Sequence, residues 1–194
     1  MGPANWQKAL DFVRDVFGKF VIGENNVRVG LVTYGESATS AFHLNQHYTK
    51  SELENSVSQT RYQGTGTNTA DALLLTRSDQ FTDGNGDRAD VDNIAILVTD
   101  GTSTNPPATI REGQQLKNNT IRLISVGVGE KVNTGELDQI SDPGDVYLIE
   151  DYNELLDILQ EIGSVIGCGK CYIFIMSQVW PFLEGSYNNY IHAK

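Results

Sequence analysis

The run Ile94-Ala95-Ile96-Leu97-Val98-Thr99 constrains this chain more than any other segment, because it is almost without polar side chains. A strand of that kind must be covered on both sides, the condition of a strand inside a parallel sheet. Val27 to Tyr34 reads as another strand, Ile121 to Val128 as a third and Val146 to Ile149 as a short fourth, with helical stretches between them. Strands alternating with helices predict an α/β chain: a doubly wound, mostly parallel, Rossmann-like sheet with helices on both faces. In such sheets ligands bind beyond the carboxyl ends of the strands, at the topological switch point.

The helical stretches carry their own signals. Trp6, Leu10, Val13, Phe17 and Phe20 recur at steps of three and four and make one stripe of a first helix, which follows Pro3 and ends by Gly23 and Glu24-Asn25-Asn26. Ser40 to Leu44 is expected to pair with the Val27–Tyr34 strand across a Gly35-Glu36-Ser37 turn. Thr49 and Glu52 stand in capping-box spacing, so a short helix begins there. Gly64 to Thr69 reads as a loop, Ala70 to Phe81 as a helix and Thr82 to Asp92 as a polar loop. Pro106-Pro107 open a helix to about Asn118, Thr134 to Ile140 is a short helix, and Tyr152 to Ile166 a strongly amphipathic one with Leu155, Leu159, Ile162 and Ile166 as its stripe. From Cys168 the chain changes character: it becomes aromatic-rich, breaks the alternation and contains the apolar segment Tyr172-Ile173-Phe174-Ile175-Met176.

Composition excludes several functions. The 194 residues suit one domain of ordinary size. With 14 basic and 25 acidic residues the net charge is −11, which disfavours non-specific nucleic-acid binding and anionic membrane surfaces. No apolar run approaches the ~20 residues that span a bilayer, and the N-terminus Met1-Gly2-Pro3-Ala4-Asn5-Trp6 has no signal-peptide character.

The motifs are each open to an ordinary structural explanation. Val98-Thr99-Asp100-Gly101 places a carboxylate at the carboxyl edge of the sheet before a tight turn, although an aspartate there can also simply cap the next turn or helix. Gly64-Thr65-Gly66-Thr67-Asn68-Thr69 lacks the third glycine of a dinucleotide fingerprint, and Thr67 or Thr69 could equally be a helix cap. Asp83-Gly84-Asn85-Gly86-Asp87 imitates a calcium loop but has no glutamate at the twelfth position. Gly127-Val128-Gly129-Glu130-Lys131 lacks the end of a P-loop, and no Gly-x-Ser-x-Gly elbow exists. His43, His47 and His192 have no metal-ligand spacing, and His47 reads as a surface residue. Cys168-Gly169-Lys170-Cys171 is half a zinc site at most and follows a helix rather than opening one, which leaves a structural disulfide or two partnerless thiols. Asn118-Asn119-Thr120 is a glycosylation sequon, meaningful in a secreted chain.

Several segments occur in order: Asn5-Trp6-Gln7-Lys8, Val27 to Tyr34, Phe42-His43-Leu44-Asn45, Gly66-Thr67-Asn68-Thr69, Val98-Thr99-Asp100-Gly101, Ser125-Val126-Gly127-Val128-Gly129, and Glu136-Leu137 through Asp142-Pro143. This set resembles the von Willebrand factor type A domain, closest to the extracellular-matrix kind of matrilins and type VI collagen, over roughly residues 2 to 167. The resemblance implies a metal-ion-dependent adhesion site for Mg2+ or Mn2+, built from three loops at the carboxyl edge. An Asp-x-Ser-x-Ser loop follows the central first strand. A threonine from the second loop matches Thr67 and would contact the metal directly. An aspartate from the third matches Asp100 and would act directly or through water, with Gly101, Thr102 and Ser103 bordering the ligand surface.

The chain departs from that pattern, because it contains no Asp-x-Ser-x-Ser. In relatives the motif runs into Gly-Pro and then Asn-Trp, so Met1 stands just past its expected end. The expectation is therefore an N-terminally incomplete domain over 1–167 and a non-family tail over 168–194, with the central first strand missing or replaced by the tail. Loss of a central strand, about five or six residues each worth roughly 1.5–3 kcal/mol, would rival a domain's whole stability of ~5–15 kcal/mol. Tyr172 to Met176 is either a strand that enters the empty slot in the parallel sense, or the start of an unrelated following segment. In both cases Ser177-Gln178-Val179 supplies no aspartate.

The function this implies is a non-enzymatic protein-binding module for matrix adhesion or assembly, with an incomplete metal site. Matrix proteins such as collagens are the expected partners, self-assembly is possible, and the location is extracellular by resemblance. Matrix cysteines that flank such domains form disulfides, which adds Cys168 and Cys171 as a candidate pair. The competing expectations are a product of an alternative start or a partial gene without metal-dependent binding, and an enzyme on the same architecture.

Overall fold

The computed structural model describes residues 3–61, 66–166 and 171–178. Six strands form one sheet: β1 (Arg28–Tyr34), β2 (Ala38–Phe42), β3 (Asp92–Thr99), β4 (Ile121–Val128), β5 (Val146–Ile149) and β6 (Cys171–Gln178), in the order β2-β1-β6-β3-β4-β5. Only β1 and β2 are antiparallel; every other neighbouring pair is parallel.

The last of the described strands in sequence is thus a central strand in space. β6 pairs with β1 on one side, Ile173 opposite Val29 and Ile175 opposite Leu31, and with β3 on the other, Ile173 opposite Ile94 and Ile175 opposite Ile96. Its composition suits the slot. Cys171, Ile173 and Ile175 point to one layer and Tyr172 and Met176 to the other, and all five are 0% exposed. Numbered first instead of last, β6 turns the sheet order into 3-2-1-4-5-6, that of a doubly wound sheet. Residues 171–178 of the tail are therefore a strand of this sheet, and they lie beyond residue 167.

A side-chain clasp holds β6 at the amino edge. The Arg88 guanidinium lies 4.7 Å from the Tyr172 ring centroid, donates from Nε to the Tyr172 hydroxyl, and donates from Nη2 to the Asn26 carbonyl at 2.7 Å. Cys171 is disulfide-bonded, which decides between the two alternatives for that thiol. Cys168 lies outside the described residues.

Two helical layers cover the sheet. On one face α1 (Pro3–Gly18), α2 (Lys50–Gln59) and α6 (Leu159–Ile166) pack against Val29, Leu31, Ile96, Val126 and Cys171, Ile173 and Ile175 of β6. On the other α3 (Thr69–Leu75), α4 (Pro106–Asn118) and α5 (Thr134–Ile140) pack against Tyr34, Ala95, Leu97, Leu123 and Met176. The α1 stripe buries Trp6, Leu10, Val13 and Phe17, and α2 begins with the Thr49–Glu52 capping box. His47 is half-buried, not a plain surface residue, because its ring stands edge-on to Phe42 at 5.2 Å.

Several boundaries differ from the sequence expectation, and the hairpin strand expected over Ser40 to Leu44 is Ala38–Phe42. α1 stops at Gly18, and Phe20 packs on the core from the turn beyond it. The expected helix over 70–81 is α only to Leu75 and then widens into a π-turn over Thr76–Gln80, where the Phe81 N–H donates to the Thr76 carbonyl. Thr76 and Ser78 hydroxyls bond back to the Ala72 and Leu74 carbonyls, competing with regular helical pairing. The expected helix over 152–166 is α only from Leu159. A 3-10 turn, Glu154–Leu156, precedes it, because Asp151 holds the chain tightly through its carboxylate to the Asn153 N–H and its carbonyl to the Glu154 N–H. Tyr152, Leu155, Leu159 and Ile162 still face the core. The loop expected over 64–69 is described only from Gly66.

The π-turn aims Asp79 at the end of β2. Its Oδ2 accepts from the Ser40 hydroxyl at 2.7 Å and pairs with His43 Nε2 at 2.9 Å, while Oδ1 accepts from Asn85 at 3.0 Å. Burial pushes this carboxyl up, but the bonds from Ser40 and His43, the charge of His43 and the bond from Asn85 outweigh it and leave it below the ordinary value.

A carboxyl whose folded-state value lies below the unfolded one, about 3.9 for aspartate, stabilises the fold above the unfolded value, and that contribution is lost as pH falls through the lower folded value. Melting temperatures measured from neutral pH down to this acid range should therefore fall more steeply for the natural chain than for Asp79→Asn. Ile175→Ala should cost about 2–5 kcal/mol in urea unfolding, because the side chain is fully buried in the central strand. Removal of residues 171–194 should abolish the cooperative transition.

Candidate functional site

The sheet changes direction of winding between β6 and β3, and the carboxyl ends of these strands mark the place where doubly wound folds bind ligands. Three stretches of backbone meet there: the turn after β1, the loop before α3 and the loop after β3.

Gly66 makes the first junction. Its φ of +79° suits glycine, and a Cβ would stand 2.9 Å from the Glu36 nitrogen. The next residue but one extends the contact: the Asn68 N–H donates to the Gly35 carbonyl at 2.7 Å and its side-chain amide donates to the Glu36 carbonyl at 3.0 Å. Asn68 Oδ1 then caps α3 by accepting from the Asp71 N–H, so the cap is neither Thr67 nor Thr69. The Asp71 carboxylate closes the circuit by accepting from the Ala38 N–H at 2.6 Å.

Thr67 makes the second junction. It is 3% exposed. Its carbonyl accepts from the Thr104 N–H at 2.8 Å and its N–H donates to the Thr104 hydroxyl at 3.3 Å. The Thr67 hydroxyl oxygen lies 4.0 Å from where a Cβ on Gly101 would stand. The structure thus brings together the Thr67 loop and the Asp100–Ser103 loop, far apart in sequence and paired in expectation.

The Asp100 loop is anchored from below. Thr99 donates its hydroxyl to the Gly101 carbonyl at 3.3 Å. Thr102 is exposed and donates to the Lys131 carbonyl at 3.2 Å, whereas Ser103 is buried. Both the hydroxyl and the N–H of Ser103 donate to the Glu136 carboxylate. Glu136 is only 4% exposed. Sequence reasoning used it as a family marker and missed this role; its place in the first turn of α5 reads as ordinary helix-start chemistry. Tyr34 lies deeper still and donates its hydroxyl to the Val98 carbonyl at 3.1 Å. Burial raises the Tyr34 phenol well above its usual range, with hydrogen bonding to Thr99 opposing and the Asp100 charge adding, so it stays neutral and acts as a donor.

β6 delivers its carboxyl end to this corner: Ser177 stands opposite Thr33 and Val98, and Gln178 opposite Tyr34. Asp100 also lines a cleft of about 310 Å3 with Asn5, Glu130, Lys131 and Glu150. Among the described residues no group of three or more His, Cys, Asp or Glu side chains could hold a metal ion. Asn118 is exposed at the C-terminal end of α4, just ahead of the amino end of β4 and so away from this corner.

Comparison with known proteins agrees with this architecture. Residues 1–161 match the family described as von Willebrand factor type A domain. The chain is 30% identical to the collagen alpha-1(XII) chain of Notophthalmus viridescens, over 84% of this chain and 17% of that one. It is 31% identical to matrilin-1 of Mus musculus, over 84% of this chain and 32% of that one. It therefore spans less than a third of either relative. Among solved structures it resembles proximal thread matrix protein 1 from the mussel byssus in a form with a zinc-occupied MIDAS motif, with a TM-score of 0.79 and 25% identity over 84% of this chain and 43% of that one. The sheet and its two helical layers are those of this family, and the chain belongs to the von Willebrand factor type A domain family.

Proposed function

We propose that the chain is a protein-binding module of the extracellular matrix that engages its partners at the carboxyl edge of the sheet without a tightly held metal ion. Similarity to collagen and matrilin chains supports the matrix assignment. One observation carries the second half. β6 enters the place from which the family's Asp-x-Ser-x-Ser loop departs, yet it runs into Ser177-Gln178-Val179.

Among the described residues, those that match the family's metal-contacting positions are Thr67, with its hydroxyl, and Asp100, with its carboxylate. A hard divalent ion such as Mg2+ prefers about six oxygens in octahedral geometry. One carboxylate neutralises half its charge, so this donor set does not fit the ion. The chain's own residues offer something else. Glu136 holds the Asp100–Ser103 loop from beneath, Tyr34 underlies the strand that leads into it, and Thr102 stands exposed on a braced polar rim. Such a rim can hydrogen-bond a partner's backbone or side chains with little loss of its own conformational freedom.

Binding rather than catalysis suits the polar clusters. Where serine, histidine and aspartate do meet, the Asp79 carboxylate accepts from Ser40 and His43 alike, so the histidine does not stand between the other two as it does in a triad.

Thermal unfolding with and without magnesium or manganese tests the metal-free part. A ligand at a hundred times its Kd stabilises by about 2.7 kcal/mol, which is about 5–10 °C for a domain of this size. The expected shift is below about 1 °C. Binding to immobilised collagen or matrilin should survive chelation, and Thr102→Arg should weaken it by about tenfold without moving the melting temperature. Absence of binding to matrix proteins would sink the module reading, and chelator-sensitive binding would sink the metal-free mechanism. On secretion from a mammalian cell, Asn118 should carry a glycan, seen as a mobility shift on deglycosylation that Asn118→Gln removes.

A further inference from the structure

A second surface lies at the far end of the sheet. Among the described residues β5 pairs only with β4, so its outer edge carries backbone N–H and C=O groups that no strand covers. A groove of about 980 Å3 runs beside its carboxyl end. Leu148 and Ile149 form its apolar part, and Leu148 is 55% exposed. Leu156, on the 3-10 turn beyond β5, is 57% exposed.

The rest of the lining is of one sign. Glu130, Glu150, Asp151 and Glu154 contribute carboxylates, and no Lys or Arg lines the groove. Asp151 and Glu154 each already accept one backbone N–H, from Asn153 and Glu150, which fixes their positions. Lys131 lines the adjoining Asp100 cleft, which shares Glu130, Glu150 and Asp151 with the groove.

We propose that this groove binds an extended, Lys- or Arg-bearing segment of a partner protein, added as a strand alongside β5. An added strand would satisfy the outward backbone groups of Val146 and Leu148, the Glu150 N–H being taken already by Glu154, and would direct alternate side chains to one side. Apolar residues on that segment would cover Leu148, and the basic ones would meet the four carboxylates. Binding of this kind requires neither the Asp100 loop nor a matrix protein seated on it.

The test uses the full chain and a fluorescein-labelled hexapeptide of alternating Lys and Val, titrated by anisotropy at low and high salt. Two further peptides accompany it: one with Glu in place of Lys, and one with the Lys-Val sequence N-methylated at every backbone nitrogen, which has no N–H left on either edge to pair as a strand. The Lys-Val peptide should bind, more weakly at high salt. The Glu peptide and the N-methylated peptide should each bind at least about tenfold more weakly. E130K combined with E150K should weaken Lys-Val binding by at least about tenfold, with E150Q intermediate and an unchanged melting temperature confirming the fold. E54K, on exposed α2, should change nothing. No binding of the Lys-Val peptide, equal binding of the N-methylated peptide, or an equal loss in E54K would each overturn the proposal. The last two would reduce it to unspecific attraction by an acidic surface. Collagen binding that persists while the peptide fails would overturn this inference and leave the proposed function standing.

Discussion

The structure depends on the two ladders that β6 makes with β1 and β3. Without them the sheet divides into β2-β1 and β3-β4-β5, each with a bare inner edge. A buried peptide group without a partner is costly, so parallel strands of this kind are rarely left half-paired in an interior. The side chains obey the same demand. Because both faces of a central strand are covered, β6 needs apolar residues at odd and even positions alike, and Tyr172 is tolerated there because Arg88 reaches its hydroxyl at the sheet's amino edge.

The same strand decides what the opposite edge can do. Pairing with β1 and β3 sets its register, so the residues at its carboxyl end must arrive between the turn after β1 and the loop after β3. Those neighbours are braced independently. Gly66 and Asn68 tie one loop to the β1 turn, and Thr104 and Glu136 tie the other to Thr67 and α5. The rim is therefore braced by its own loops, and the strand that arrives between them ends in Ser177-Gln178.

Much of this was legible from residue patterns. Period and caps located the helices at 106–118 and 134–140 and the strands at 121–128 and 146–149, since continuous apolar runs and proline or capping signals leave few alternatives. The ordered segments paired Thr67 with the Asp100 loop, although more than thirty residues separate them. The features that could not be read depended on contacts from elsewhere. Hydroxyl bonds within the segment and the pull of Ser40 and His43 on Asp79 widen the turn after Leu75. Glu136 looks like a helix-start residue until Ser103 is seen against it. For Tyr172 to Met176 the pattern was apolar and β-prone, but only the gap between β1 and β3 selects a place for it.

Placing a central strand after the other five described strands has a kinetic consequence. The ladders of β6 join residues separated by more than seventy positions on the β3 side and more than a hundred on the β1 side. Contacts of such long range form slowly, because the chain must first be confined over the whole loop. As synthesis proceeds from the amino end, every other strand leaves the ribosome before the one that joins them. Through that interval the inner edges of β1 and β3 face outward, apolar and unpaired, the state in which nascent sheets most readily associate with one another.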